Sequence, residues 1–187
     1  MRKRGRQDQS YRRRTQIKIR CQYANTNSAC RVIRKELDLM QKLTTEEAKD
    51  LIEMLKKYAD KKRLDFPSPG NRLQFSVIGD TNQDRFAVNV YRQRINSEGC
   101  TFQGRTESDN IVLMRLDVNP TSIHINPDGE KITGTHLHIY TEDYDERYAI
   151  EFDTGNKDLF ELCFTFFKKF NIINGENVFY MQYSFEQ

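Results

Sequence analysis

Short alternating segments separated by turn residues fill the middle of this 187-residue chain and constrain its fold more than any other feature. Apolar residues recur at every second position in the first two segments: Leu73, Phe75 and Val77, then Phe86, Val88 and Val90. Five more segments follow: CTFQGR, NIVLMRLDV, SIHIN, THLHIYT and RYAIEFD. Because they lie at hairpin spacing, they predict a curved, mainly antiparallel sheet of about seven strands over residues 72–153.

Helical patterns precede and follow this predicted sheet. Thr44 followed by Glu47 predicts a capping box and a helix over about residues 45–62, in a helical part that ends near residue 64. A second helix is predicted over residues 158–172, where a wide apolar face can pack on the sheet.

The closing FYMQYSFE alternates again and predicts a final strand over residues 178–185. The expected fold class is therefore α+β. The sheet is packed by an N-terminal and a C-terminal helix, within a single domain of residues 30–187.

Residues 1–29 lack an extended apolar pattern and are interpreted as a basic arm or linker. The first 20 residues carry a net charge of +8, because Asp8 is their one acidic residue, whereas the rest of the chain has 21 basic and 26 acidic residues. The basic residues of the arm are Arg2, Lys3, Arg4, Arg6, Arg12, Arg13, Arg14, Lys18 and Arg20. Such a charge suits a nucleic-acid backbone, and a solubilising tail or a contact with an acidic protein is the alternative.

Composition narrows the class of protein and its compartment. No apolar run approaches the roughly 20 residues needed to cross a bilayer, and the basic start has no apolar segment behind it, so neither a membrane partner nor a secretory signal is expected. The four cysteines form no CxxC pair, which favours reduced thiols. We therefore expect a cytoplasmic protein.

All three histidines fall within residues 123–140, IHINPDGEKITGTHLHIY. Strand alternation places His136, His138 and Tyr140 on one face and Leu137 and Ile139 on the other, towards the core. The α-carbons of the two histidines are then about 7 Å apart on a polar face.

A neighbouring strand RYAIEFD, in the register that buries its own apolar residues, brings Arg147 and Glu151 to the same face. His124 and Lys131, from the preceding hairpin, are expected at its edge.

These side chains match the needs of metal-free RNA cleavage, which takes a base, an acid and a cation for the phosphorane. His136 and His138 are the predicted acid and base pair, because imidazole offers both protonation forms near neutral pH. Arg147 and Lys131 would steady the phosphate, and Tyr140 would orient it or act as the acid. His124 and Glu151 are supporting residues.

Two other interpretations of the histidine face remain open. A metal ion fits an HxH strand if Asp117, Glu151 or His124 supplies a third ligand. A plain binding surface is the other, since exposed faces of antiparallel sheets are generally polar. Our assignment contains no metal ligand and no cofactor.

Nucleic-acid contacts on the sheet itself are predicted where aromatic and guanidinium planes occur beside turns. The four residues of this kind are Tyr91, Arg92, Arg94 and Arg105.

The segments NIVLMRLDVNP, NPDGEKI and THLHIYTEDYDERYAIEF resemble a poorly characterised family of small proteins from Gram-positive bacteria, their phages and their plasmids. The resemblance covers about residues 40–170 and implies a habitat rather than an activity. In size, the chain is also similar to phage-encoded anti-CRISPR inhibitors of Cas9, some of which trim the guide RNA. The arginine-rich N-terminus departs from the family pattern.

Together, charge, histidines and resemblance favour an RNA-cleaving counter-defence factor of a mobile element, a ribonuclease acting on guide RNA or its Cas9 complex. The alternative is a non-catalytic inhibitor or binding module that occupies a nucleic-acid channel or a Cas-type protein through its basic arm.

Overall fold

The computed structural model describes residues 42–60 and 62–180. The compact unit that contains the sheet begins at Thr44. The predicted arm, residues 1–29, lies outside the described residues, and so does most of the predicted final strand. Within the described part of the chain, no helix is long and apolar enough to cross a membrane.

Ten strands and two α-helices form the described part of the chain. The strands are β1 (Lys56–Tyr58), β2 (Arg72–Ile78), β3 (Arg85–Arg92), β4 (Cys100–Thr106), β5 (Val112–Val118), β6 (Ile123–Ile125), β7 (Lys131–Thr133), β8 (His136–Ile139), β9 (Ala149–Glu151) and β10 (Ile172–Ile173). The helices are α1 (Thr45–Glu53) and α2 (Leu159–Lys169), and a short 3₁₀ helix covers Gly175–Asn177.

Eight strands form one sheet in the order β10-β1-β2-β3-β4-β5-β8-β9, and β6 and β7 form a separate hairpin. Neighbours in the large sheet are antiparallel except β1 and β10, which are parallel. The predicted α+β fold with a mainly antiparallel sheet is therefore confirmed. The segment SIHIN was wrongly placed in this sheet, because its strand pairs with β7 instead.

Helix α1 begins where the sequence predicts. The side chain of Thr44 accepts from the amide of Glu47, and the Glu47 carboxylate accepts from the amide of Thr44, at 3.1 and 3.0 Å. The helix ends at Glu53 rather than near residue 62, because Lys56–Tyr58 pairs with both β2 and β10.

Lys56 connects the ends of the two helices. Its ammonium donates to the carbonyl oxygens of Ile52 and Met54 at the end of α1, and to that of Phe170 at the end of α2, at 2.8–3.0 Å. The same group lies over the rings of Phe86 and Phe170. Lys56 is fully buried, and burial lowers the pKa of its ammonium to about 7.

Helix α2 begins at the predicted N-cap Asp158, which forms a capping box with Glu161. Its buried face packs on one side of the sheet, where the rings of Phe166 and Phe102 stack with centroids 6.0 Å apart. A Cβ added at Gly104 would lie 2.6 Å from the ring of Phe170, so glycine permits this close approach. The opposite side of the sheet is polar and carries the hairpin.

Candidate functional site

Two rows of directly paired residues cross the polar face of the sheet from β2 to β9. The first row is Arg72, Tyr91, Thr101, Asp117, His136 and Glu151. The second row is Gln74, Asn89, Gln103, Arg115, His138 and Ala149. Paired residues of antiparallel strands point to the same face, so the rows join the histidine end of the sheet to the end that carries Tyr91.

The three histidines meet at one place on this face. The ring centroids of His124, His136 and His138 are 4.8–5.0 Å apart. His124 comes from β6, and the other two come from β8, so the hairpin and the sheet both contribute to the cluster. The strand period predicts the pairing of His136 and His138, and the fold adds His124 as a full member.

The cluster is closed rather than open. His138 is 0% exposed and His136 is 5% exposed, because the hairpin lies over them. The outer face of the hairpin carries Ile123 and Ile125, which are 59% and 66% exposed, while Ile132 on its inner face is buried. The predicted shared face of His136 and His138 is therefore present, but the hairpin covers it.

Two of the histidines, His124 and His136, donate a hydrogen bond from one ring nitrogen to an oxygen atom. Nδ1 of His136 donates to the carbonyl oxygen of Gly134 at 2.8 Å. Nε2 of His124 lies 3.1 Å from both the side-chain oxygen of Asn126 and the carbonyl oxygen of Arg147, and must donate because both atoms are acceptors. These bonds leave Nε2 of His136 and Nδ1 of His124 as the other ring nitrogens.

His138 contacts two charged neighbours through one nitrogen. Its Nε2 lies 3.0 Å from a guanidinium nitrogen of Arg115 and 3.3 Å from a carboxylate oxygen of Asp117. Its Nδ1 is buried and has no hydrogen-bond partner. Whichever tautomer the ring adopts, this nitrogen remains unsatisfied.

Asp117 is the charged centre beside the rings. Burial alone would raise the pKa of its carboxyl group, but hydrogen bonds from His138 and Thr101 and the charge of Arg115 lower it to about 2. Burial is also the main cause that lowers the pKa of His136, and the nearby His138 and His124 act in the same direction. The site therefore favours a carboxylate next to a neutral His136.

The other predicted catalytic and supporting residues occupy different positions relative to this cluster. Arg147 offers its carbonyl oxygen to His124, while its guanidinium donates to the carbonyl oxygen of Tyr144. Lys131 is paired with Ile125 on the outer face of the hairpin, so the expectation that it reaches the histidines is wrong. Glu151 pairs with His136 at the sheet edge, as predicted, and is exposed.

Tyr140 directly follows β8 and is buried. Its amide donates to the carbonyl oxygen of Leu113, which fixes the backbone next to the histidine strand.

Asn126 was missed in the sequence, although it fixes the hairpin over the cluster. Its side chain accepts from the amide of Ala149 at 2.8 Å and donates to the carbonyl oxygen of Ala149 at 2.9 Å and to the carboxylate of Glu130 at 3.1 Å. The residue is 2% exposed. Asn126 directly precedes Pro127, and no local pattern predicts a bond from its side chain to β9.

The far end of the polar face is open. Tyr91 is 37% exposed, and the guanidinium carbon of Arg72 lies 5.6 Å from the centre of its ring. Arg105, on β4 two rows away from Tyr91, is paired with Ala87; it donates to Gln74 at 3.1 Å and contacts Asn110. These residues share the face with the histidines, and two predicted contacts, Tyr91 and Arg105, belong to the group.

The other two predicted nucleic-acid contacts lie elsewhere. Arg92 is one position from Tyr91 and therefore points to the opposite face, where it donates to the carbonyl oxygen of Ser97. Arg94 follows β3 and is exposed, with the aliphatic part of its side chain against Gly70. The basic residues from Arg2 to Arg20 lie outside the described residues.

Comparisons with known proteins add a family to this geometry. No curated protein and no solved structure matches the chain. A family model matches residues 43–172. This range includes both α-helices, the whole hairpin and all three histidines. The chain therefore belongs to a family of unknown function, DUF6978.

Proposed function

We propose that this protein binds RNA on the open end of its polar sheet face, as a binding module without chemistry of its own there. One observation supports this proposal more than any other. An exposed tyrosine, Tyr91, lies beside Arg72, and Arg105 lies on the same face two rows away. Neither arginine forms an ion pair with any carboxylate in residues 42–60 and 62–180. Arg105 acts on Glu107 through its charge but forms no hydrogen bond with it, so both arginines keep N–H donors for phosphate.

The chemistry of the three side chains suits single-stranded RNA. Unstacked bases bind aromatic side chains on sheet surfaces, and guanidinium groups form paired hydrogen bonds with phosphate oxygens. Neighbouring amide side chains, Asn89 and Gln103, are partly exposed and joined by a hydrogen bond of 3.2 Å, which offers polar groups for base edges. The remaining arginines of this face, Arg85 and Arg115, are already paired with Glu107 and Asp117.

The basic arm adds sequence-independent affinity to this proposal. Each phosphate that a lysine or arginine neutralises releases condensed counterions, so affinity falls steeply as salt rises. Removal of residues 1–20 should weaken binding and flatten its salt dependence, without abolishing the contribution of Tyr91.

Burial argues against cleavage by the histidine pair. A general acid or base must come within about 3 Å of the proton that it transfers. His136 and His138 lie beneath the hairpin at 5% and 0% exposure, so a phosphodiester would reach them only after displacement of β6 and β7. The ribonuclease and anti-CRISPR activities expected from the sequence are therefore alternatives to this proposal, and the assay described below can detect them.

The test is fluorescence anisotropy with a labelled single-stranded RNA, over a series of salt concentrations. Tyr91→Ala should weaken binding by about 5–150-fold, the range that corresponds to about 1–3 kcal/mol for one stacked base. Arg72→Gln and Arg105→Gln should each weaken it as well. Arg85→Gln is the matched control, because its guanidinium lies on the same face and is neutralised by Glu107.

Equal effects of Arg85→Gln and Arg105→Gln would contradict the proposed surface and attribute binding to net charge alone. A denaturing gel with end-labelled RNA, including a Cas9 guide RNA with and without Cas9, separates binding from cleavage. Intact RNA in both EDTA and magnesium is the expected result. Defined fragments that disappear in His136→Ala would restore the acid and base mechanism.

A further inference from the structure

We propose that His124, His136 and His138 form a binding site for one divalent transition-metal ion, with zinc as the ion that their chemistry fits best. The residues of this site are separate from Tyr91, Arg72 and Arg105, so the proposal does not depend on RNA binding.

The spacing of the rings comes close to that of a bound ion. One nitrogen of each imidazole lies within 4.8 Å of the other two. Zinc–nitrogen bonds of 2.0–2.1 Å at tetrahedral angles place ligand nitrogens about 3.3 Å apart. The widest pair must therefore close by about 1.5 Å, a movement that side-chain rotation can supply.

His124 is the ring that must turn. It is stacked on His136 with an angle of 27° between the planes, whereas two rings that share an ion direct their nitrogens at one point. It is also the most exposed ring of the three and belongs to the small hairpin, while its partners are held within the eight-stranded sheet.

On each ring, one nitrogen is available to coordinate an ion when the other nitrogen donates a hydrogen bond. Metal-binding histidines usually donate their other N–H to a carbonyl or carboxylate oxygen, which fixes the tautomer. His136 donates to Gly134 and His124 to Asn126 or Arg147. Nε2 of His138 lies 3.0 Å from the Arg115 guanidinium and 3.3 Å from the Asp117 carboxylate, and the proposed site requires the tautomer in which it donates to Asp117. The remaining atoms are Nε2 of His136 and Nδ1 of the other two rings.

The unsatisfied nitrogen of His138 is an independent indication of a ligand. Nearly all buried polar side-chain atoms have a hydrogen-bond partner, so each exception requires a physical reason. Nδ1 of His138 is buried without a partner in a residue that is 0% exposed, and the centroid of its ring lies 4.8 Å from that of His124 and 5.0 Å from that of His136. A metal ion satisfies such a lone pair, whereas an apolar neighbour does not.

The donor set selects the class of ion. Three neutral imidazoles suit zinc and the other late transition metals, whereas magnesium and calcium prefer oxygen ligands. Three protein ligands leave a fourth position for water or an anion. Asp117 acts here as a positioning residue, because its carboxylate orients His138 rather than contacting the ion.

Isothermal titration of the full chain with zinc, after removal of any histidine tag and dialysis against EDTA, tests the proposal. Wild type should bind one equivalent and become more resistant to heat. Cobalt should give the intense visible absorption of a four-coordinate site. His124→Gln is the most informative variant, because glutamine preserves an N–H donor to Asn126 while it removes the imidazole ligand.

His124→Gln and His138→Gln should each abolish stoichiometric zinc binding. Asp117→Asn should weaken it by about 10–100-fold, the usual effect of losing a partner that orients a ligand. Circular dichroism shows whether each variant is folded. The double variant Cys21→Ser/Cys30→Ser is the control for adventitious binding by thiols and should retain full affinity.

Two results would overturn the proposal. One is that folded wild type binds no more zinc than the histidine variants do. The other is that zinc binds wild type and His124→Gln equally, or is lost in the cysteine variant, which would place the ion elsewhere.

Discussion

At the scale of single residues, a buried polar group requires partners, and Lys56 and His138 show the two outcomes. The ammonium of Lys56 has three carbonyl acceptors and two aromatic rings, so its full burial is compensated. Nδ1 of His138 is equally buried and has none. The fold explains the first arrangement, and the proposed metal ion would explain the second.

Lys56 gives a pH-dependent stability that can be measured against the variant Lys56→Met. A folded-state pKa of about 7, below the usual 10.5, means that the unfolded chain binds more protons between these values. The unfolding free energy of wild type relative to the variant should therefore rise with pH from 7, by about 3–4 kcal/mol at pH 10.

Urea denaturation of both proteins at several pH values is the measurement. All other titratable groups are the same in the two proteins, so their contributions cancel in the difference between the two unfolding free energies. A difference that does not change with pH would mean that the three carbonyl oxygens hold the proton on Lys56 despite its burial.

At the scale of secondary-structure elements, the hairpin of β6 and β7 decides whether the histidine cluster is closed. It contributes one histidine and one buried isoleucine, and its outer face is exposed. Asn126 joins it to β9 through both backbone groups of Ala149. Asn126 thus fixes a hairpin of six paired residues, together with the bond from His124 to the carbonyl oxygen of Arg147.

Asn126→Ala should release this hairpin. The change leaves the amide and carbonyl groups of Ala149 without partners, which is expected to cost about 2–3 kcal/mol. Hydrogen exchange at the amide of Ala149 should accelerate far more than exchange in β3 or β4. Thr133→Ala, on the exposed outer face, is the control and should change neither rate. Unchanged protection of Ala149 would contradict the proposed role of Asn126.

Local patterns predicted the elements of the fold better than their contacts. Thr44 and Glu47 lie in one helical turn, so their capping box is visible in the sequence. The early end of α1 depends on pairing of Lys56 with Ile172, which no local pattern contains. Likewise, alternation places His136 beside His138, whereas the approach of His124 depends on distant contacts with the carbonyl oxygen of Arg147.

At the scale of the whole molecule, the sheet separates two kinds of surface. Helix α2 covers one face with aromatic residues, and the opposite face carries the histidine cluster at one end and Tyr91 at the other. Tyr91 on β3 and His136 on β8 are three strand spacings, or roughly 14 Å, apart. The two proposed sites are therefore distinct in space.

This separation predicts independent effects of mutations in the two sites. Tyr91→Ala should leave zinc titration unchanged, and His138→Gln should leave RNA affinity unchanged. The double variant should show the sum of the two losses, because sites without shared partners at this distance seldom couple. Anisotropy and calorimetry on the same preparations provide the measurement. A deficit in both assays from one substitution would mean that RNA reaches the metal site.

The parallel pairing of β1 with β10 imposes an order on folding. Lys56 is near the beginning of the described chain, and its partners Phe170 and Ile172 lie more than a hundred residues later. During synthesis, α1 therefore emerges long before the residues that complete its C-terminal end. Until β10 arrives, β1 remains an open sheet edge, which is the part of a nascent chain most prone to pair with another molecule.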